Sequence, residues 1–302
     1  MARPVLLALP LALLLALASG LAPRQATAPA EEPLPIFDTH IHYSADAWDV
    51  YDVDAALELL DRANVRVALV SSTPDDGTLR LHARAPDRIV PILRPYRSRA
   101  DMGAWTRDSS VAAYVRERLE SAPPGVRYRG IGELHLAEGE TAHPVVAELA
   151  RLAGEHDLFL HVHADAGTVE ELLAQYPDAK VLWAHAGMSA GPDVVGRLLA
   201  RFPSRLWVEL ALRYDVAPGG RLDPEWAALF ARHPDRLMVG TDTWVPSQWT
   251  RLPDLMAAAQ GWLRQLPPDL AERLAWRNAA CLFGSDTTAL RPERTADGCP
   301  DG

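Results

Sequence analysis

Apolar residues along the chain gather into short runs separated by stretches of helical spacing. The runs lie at 36–42, 65–70, 89–93, 130–136, 158–163, 180–185, 206–210 and 236–242. Short, nearly continuous apolar runs bounded by turn residues predict strands covered on both faces. Between them, 53–63, 79–85, 109–120, 144–156, 168–175, 193–200 and 224–231 carry apolar residues at helical spacing. Asp52 and Asp223 are placed to cap helices, Pro144 stands in a first helical turn, and Pro86 ends the helix before it. Pro91 blurs the limits of the third strand. Longer helical segments follow the eighth strand, at about 250–265 and 269–283. The crossovers are long enough for parallel pairing. Eight strand–helix alternations predict an α/β fold, a (β/α)8 TIM-type barrel with extra C-terminal helices. A doubly wound open sheet is the alternative, and no short-period internal repeat is visible.

The ends read differently. Arg3, an apolar run from Val5 to Ala18 and then small residues give the order of a secretory signal peptide, assigned to 1–22. The run is too short for a membrane span. Residues 23–35, rich in Ala, Pro and Glu, predict a disordered lead-in; 36–284 form the barrel domain; 285–302 predict a disordered tail. The expected location is therefore outside the cytoplasm, periplasmic or secreted, with no membrane partner after cleavage. The chain has 302 residues, 48% of them hydrophobic, enough for a large core. A net charge of −10 argues against a nucleic-acid surface and leaves a small molecule as the expected partner. Oligomeric state is not legible. Cys281 lies in an apolar helical run and reads as a small core residue; Cys299 lies in the polar tail, so a bridge between them is not expected.

Barrels of this kind place their chemistry at the C-terminal ends of the strands. Here those ends carry His40, His42, Arg94, Glu133, His163, His185 and Asp242. Within 36–42 the side chains alternate, so Asp38, His40 and His42 point to one side. Two imidazoles at i and i+2 can reach one metal ion, and Asp38 can orient one of them. An isolated His-x-His is equally well read as two polar residues near a strand end; recurrence at later strand ends favours the metal. His161 shares a face with His163, and His135 with Glu133. His163, at its strand end, is the preferred ligand of the first pair. His82, His143, His156 and His233 fall on helices or loops and read as solvated. Arg94, Tyr96, Arg97 and Arg213 lie beyond strand ends, where they can hold a carboxylate or phosphate or simply form salt bridges. Trp48, Trp244 and Trp249 can wall a pocket or pack helices.

Five stretches carry a family resemblance: Asp38-Thr39-His40-Ile41-His42, 160–165, Trp183-Ala184-His185-Ala186-Gly187, Val239-Gly240-Thr241-Asp242, and the closing 278–284. Together they resemble the amidohydrolase superfamily, in its amidohydrolase-2 and TatD-like branches, over about 36–284. The resemblance implies metal ligation by His40, His42, Glu133, His163, His185 and Asp242, with Asp242 and His185 as the catalytic pair and Arg94 toward the substrate. Many members bridge two metals with a carboxylated Lys on strand four; this chain has Glu133 there, as in the TatD-like pattern, so one ion or two remains open. Zinc is the expected divalent ion, and Mn2+ or Fe2+ suits the same donors. The implied function is hydrolysis of a small-molecule amide, ester, lactone or similar bond by metal-activated water, with Asp242 as general base. A decarboxylase of the same superfamily and a non-catalytic exported metal- or ligand-binding barrel are the alternatives. A nuclease is disfavoured by the acidic charge.

Overall fold

A computed structural model describes residues 1, 32–284 and 299. The predicted signal peptide, most of the lead-in and all of the tail but Cys299 lie outside the described residues. The chain divides into units of residues 1–32 and 33–302, and the fold is that of the second. Its strands are β1 (Ile36–Ile41), β2 (Val65–Val70), β3 (Ile89–Leu93), β4 (Gly130–His135), β5 (Phe159–His163), β6 (Lys180–Trp183), β7 (Leu206–Glu209) and β8 (Leu237–Met238). They stand in sequence order, each parallel to the next. The segment after β8 closes the ring on β1. Thr39 N donates to the Val239 carbonyl, Asp242 N to the His40 carbonyl and His42 N to the Thr243 carbonyl. The TIM-type barrel expected from the alternation is what forms; the open sheet is not.

The helical expectations hold in place, with changed limits. Asp52 caps Val53–Arg62 by accepting the Ala55 N–H, and Asp223 caps Pro224–Arg232. Pro144 opens Pro144–Glu155. The last predicted helix is broken into Pro268–Glu272, a π-helical turn Arg273–Arg277, and Asn278–Phe283. Two strand ends are shorter than the apolar runs suggested, for a local reason. The backbone turns into the left-handed region at His185 (φ 56°) and at Asp242 (φ 52°). Non-glycine residues rarely adopt that region, and where they do the surrounding structure must hold them there. Both side chains are thereby carried on turns at the barrel mouth rather than on the strands.

Asp38 does not orient an imidazole. Its short side chain turns to the backbone ahead of it and across the seam, accepting His40 N–H, Thr241 N–H and the Thr241 hydroxyl. It fastens β1 to the segment after β8. Burial pushes its pKa up to about 7, against the pull of those hydrogen bonds.

Cys281 and Cys299 form a disulfide, contrary to the sequence expectation. Cys281 is only partly buried at the end of Asn278–Phe283, so its sulfur is within reach of the tail rather than enclosed in the core. Among the described residues no helix is long and apolar enough to cross a membrane.

Two glycines let the layers under the barrel mouth approach. A Cβ on Gly132 would lie 2.3 Å from the His161 carbonyl oxygen, and one on Gly240 would lie 2.5 Å from Glu209 Oε2. Gly240→Ala must therefore displace a buried carboxylate and is expected to cost about 1–3 kcal/mol of stability in urea unfolding. Gly103→Ala, with nothing within 4 Å of its Cβ, is the control, expected within about 0.5 kcal/mol of the parent. Equal midpoints for parent and Gly240→Ala would contradict the packing described.

Candidate metal centre

His40 and His42 project from β1 with their Nε2 atoms 3.0 Å apart. What fixes them is the partner of each Nδ1. His40 Nδ1 faces Glu209 Oε1 at 2.8 Å, and His42 Nδ1 faces the Ser71 carbonyl oxygen. A carboxylate and a carbonyl can only accept, so both Nδ1 atoms carry hydrogen, and in the neutral rings both Nε2 atoms present lone pairs. Two lone pairs facing one another in a buried site repel unless something positive lies between them. Two nitrogens each about 2.0–2.1 Å from a single ion stand about 3 Å apart at a right angle, the spacing seen here. The donor set thus fits a cation on an observation of the protein alone.

Carboxylates complete the set. Asp242 Oδ1 is 3.2 Å from His42 Nε2 and 3.4 Å from His40 Nε2. Glu133, from β4, lies between two groups of imidazoles. Its Oε2 is 3.3 Å from His42 Nε2 and 3.5 Å from His40 Nε2. Its Oε1 is 2.9 Å from His163 Nδ1 and 3.3 Å from His185 Nε2. His185 Nδ1 in turn faces the Ala211 carbonyl at 3.2 Å, which turns its Nε2 toward Glu133. The six residues singled out from the sequence as ligands therefore converge. His40, His42, Glu133 and Asp242 bring donor atoms within 4.8 Å of one another, as do Glu133, His135 and His163.

His161 lies one layer below. It is buried, its ring meets His40 edge-on with centroids 4.5 Å apart, and its Nε2 has no partner among the described residues. Burial and the neighbouring His40 hold its pKa well below the imidazole range.

Glu209 is the residue the sequence reading missed. It is fully buried at the end of β7. Its Oε1 accepts from His40 Nδ1 and from the His185 backbone N–H, and its Oε2 accepts the Ala211 N–H. One carboxylate thus sets an imidazole of β1 and the turn that carries His185. Its signal was of the same kind as the others, an acidic residue ending an apolar run. Arg213 forms a salt bridge. Its guanidinium donates to the Ala186 and Ala190 carbonyls and pairs with Asp215, clamping the His185 turn. Arg97 is held by Asp101 and Asp108. Trp249 is buried and donates to the His42 carbonyl, and Trp48 packs under Arg80. Trp244 stands at the mouth with Arg99 over its ring.

The cluster opens into a pocket of about 380 Å3, lined among others by His42, Arg94, Arg99, His135, His163 and Trp244. Arg94 reaches the centre itself: its Nη2 donates to Glu133 Oε2 at 2.8 Å. The charges are mutually perturbing. Burial opposes a proton on His40, but Asp242, Glu133 and Glu209 outweigh it and raise its pKa well above the imidazole range. Burial likewise opposes charge on Glu133, but His40 and the His163 and His185 imidazoles against it bring its pKa well below the usual carboxylate range. In the absence of a cation, a proton on His40 fills its place. Binding an ion at that Nε2 must expel the proton, so affinity should rise with pH. Adding Zn2+ to metal-free protein at pH 7 in weak buffer should release at least one proton per protein molecule, and the affinity at pH 8 should exceed that at pH 6. Binding without proton release, equal at both pH values, would contradict the assignment.

The sequence profile of the family described as Amidohydrolase matches residues 37–285. Among solved structures the chain is similar to a TatD homologue from Escherichia coli K12. The identity is 18% and the TM-score 0.58, over 83% of this chain and 99% of that one. It is also similar to a protein from Acinetobacter baumannii described as a probable 2-pyrone-4,6-dicarboxylic acid hydrolase. There the identity is 16% and the TM-score 0.55, over 83% of this chain and 100% of that one. Identities this low speak for the fold. No curated protein matches the chain. The profile match spans the whole barrel and takes in every residue of the buried His, Glu and Asp cluster suited to a divalent cation, so this chain belongs to the amidohydrolase family and is a metal-dependent hydrolase.

Proposed function

We propose that the protein hydrolyses an ester, lactone or amide bond in a small, carboxylate-bearing molecule at a two-ion zinc centre. The observation that carries this reading is Glu133, whose two oxygens face different imidazole groups. That arrangement supports one site on His40, His42 and Asp242 and another on His163 and His185, with Glu133 shared. Mixed imidazole and carboxylate donors favour zinc. Bound divalent ions supply water of lowered pKa and polarise the scissile carbonyl.

The residues of the chain do the rest. Burial tends to raise the Asp242 pKa, but His40 and the neighbouring His42 imidazole bring it below the usual range. Asp242 is therefore a carboxylate at neutral pH, able to take the proton of the attacking water and return it to the leaving group. Arg94 uses one nitrogen on Glu133 and keeps a buried Nε–H without a partner among the described residues. The guanidinium of Arg94, with Arg99 in the pocket wall, supports recognition of an anionic substrate group. Trp244 and Met102 supply an apolar wall.

Asp242→Asn keeps the size and an oxygen donor but removes the base. It should retain the fold and much of the metal while turnover falls about 10²–10⁴-fold. The measurement is hydrolysis of a panel of esters, lactones and amides, with and without a carboxylate, at matched metal content. Turnover within a few-fold of the parent would reject Asp242 as the proton carrier. Release of carbon dioxide in place of a hydrolysis product would reject hydrolysis.

We also propose that the protein is exported. The support is the N-terminal order of Arg3, apolar run and small residues, together with a Cys281–Cys299 disulfide of the kind that persists in oxidising compartments. Intact mass of the protein from its native host should place the mature N-terminus at about residues 19–30. Retention of Met1 would overturn export by this route.

A further inference from the structure

The histidines around the centre differ in what holds their Nδ1. In His40, His42 and His185 it faces an acceptor, the Glu209 carboxylate, the Ser71 carbonyl and the Ala211 carbonyl respectively. Each is thereby set with its hydrogen on Nδ1 and its Nε2 turned toward the cluster. His135 is set the other way. Its Nδ1 lies 3.3 Å from the Tyr96 hydroxyl oxygen, which already accepts the His135 backbone N–H at 2.9 Å. Tyr96 is fully buried, so its own hydrogen needs an acceptor. Among the described residues, His135 Nδ1 is the acceptor the structure gives it. Nδ1 thus accepts, and the ring hydrogen sits on Nε2. If the imidazole were protonated, Nε2 would still carry hydrogen, so the conclusion does not depend on its charge.

The rest of the setting keeps that N–H in place and available. Trp105 Nε1 donates to the His135 carbonyl at 2.8 Å, so the residue is held at both backbone groups by buried aromatic side chains. The ring packs on His163, with centroids 4.6 Å apart. Nε2 is 3.7 Å from Glu133 Oε2, beyond hydrogen-bond reach, and the side chain is 29% exposed in the pocket wall. The grouping of Glu133, His135 and His163 would by distance alone be taken for a metal site. With the Tyr96 hydroxyl on Nδ1 and the hydrogen on Nε2, His135 turns no lone pair toward that grouping.

We propose that His135 is a catalytic hydrogen-bond donor: its Nε2–H binds the substrate oxygen on which negative charge develops as the bond is attacked. This rests on the hydrolytic reading for the identity of that oxygen. A donor fixed in advance at such a position acts most strongly on the charged, reacting form.

The test uses the full-length zinc-loaded protein and needs no known substrate. Long-range 1H–15N spectra of the imidazoles, assigned by the signals lost in His135→Gln, should show His135 protonated at Nε2 and not solely at Nδ1. Metal content should be unchanged in His135→Gln and His135→Ala. Inorganic phosphate serves as the oxyanion probe. Its Kd should weaken about 10–100-fold in His135→Ala, the worth of a hydrogen bond to a charged group. His135→Gln, which keeps an N–H donor but no ligand nitrogen, should recover most of that loss. Hydrogen on Nδ1 alone, loss of metal in His135→Gln, phosphate affinity unchanged in His135→Ala, or equal loss in both variants would each overturn the proposal. Should the substrate panel show no hydrolysis, the functional reading fails, and these measurements still decide the role of His135.

Discussion

The structure depends on a restriction of two imidazoles to one tautomer. His40 and His42 each meet an acceptor at Nδ1, and so turn two lone pairs toward one point. Most of the surrounding architecture serves that restriction. Glu209 can reach His40 because position 240 has no Cβ to block it. The same carboxylate takes the His185 N–H, fixing the turn that supplies the next imidazole, and Arg213 clamps that turn from its other side. Asp38 binds the first strand to the segment carrying Asp242. Removing any of these groups leaves the ligands present but free to reorient.

Electrostatics follow from the same geometry. Glu133, Glu209 and Asp242 are all buried within a small volume. Isolated carboxylates in such a place would take up protons. Instead each is held below its ordinary pKa because His40 and its neighbours share positive charge with it, and His40 is raised in return. These are two descriptions of one coupling. Arg94 offsets part of the charge at Glu133. The fold has thus gathered more carboxylate than its own fixed cations neutralise, and the balance is made by a proton in the empty protein or by metal in the working one.

How far the sequence foretold this differs by level. The barrel was legible because each strand is an apolar run and each crossover has helical spacing. The convergence of the six candidate ligands was legible because polar and charged residues at the ends of buried strands have no packing role. Glu209 carries the same signal, but its importance lies in reaching across to His40, which strand-by-strand reading does not reveal. Asp38 misled for the opposite reason. It shares a face with His40 and His42, yet a side chain that short meets the backbone first. The left-handed turns at His185 and Asp242 left no mark in hydrophobic pattern. The Cys281–Cys299 bridge depends on a proximity that composition does not encode.

The most direct test of the account is anomalous diffraction from zinc-grown crystals of the full-length protein. The account predicts a peak coordinated by His40 Nε2, His42 Nε2 and Asp242. It predicts a second peak by His163 Nδ1 and His185 Nε2, about 3.5–4 Å away, with Glu133 between them. Zinc bound elsewhere, with the His40 and His42 nitrogens still facing an empty gap, would contradict it.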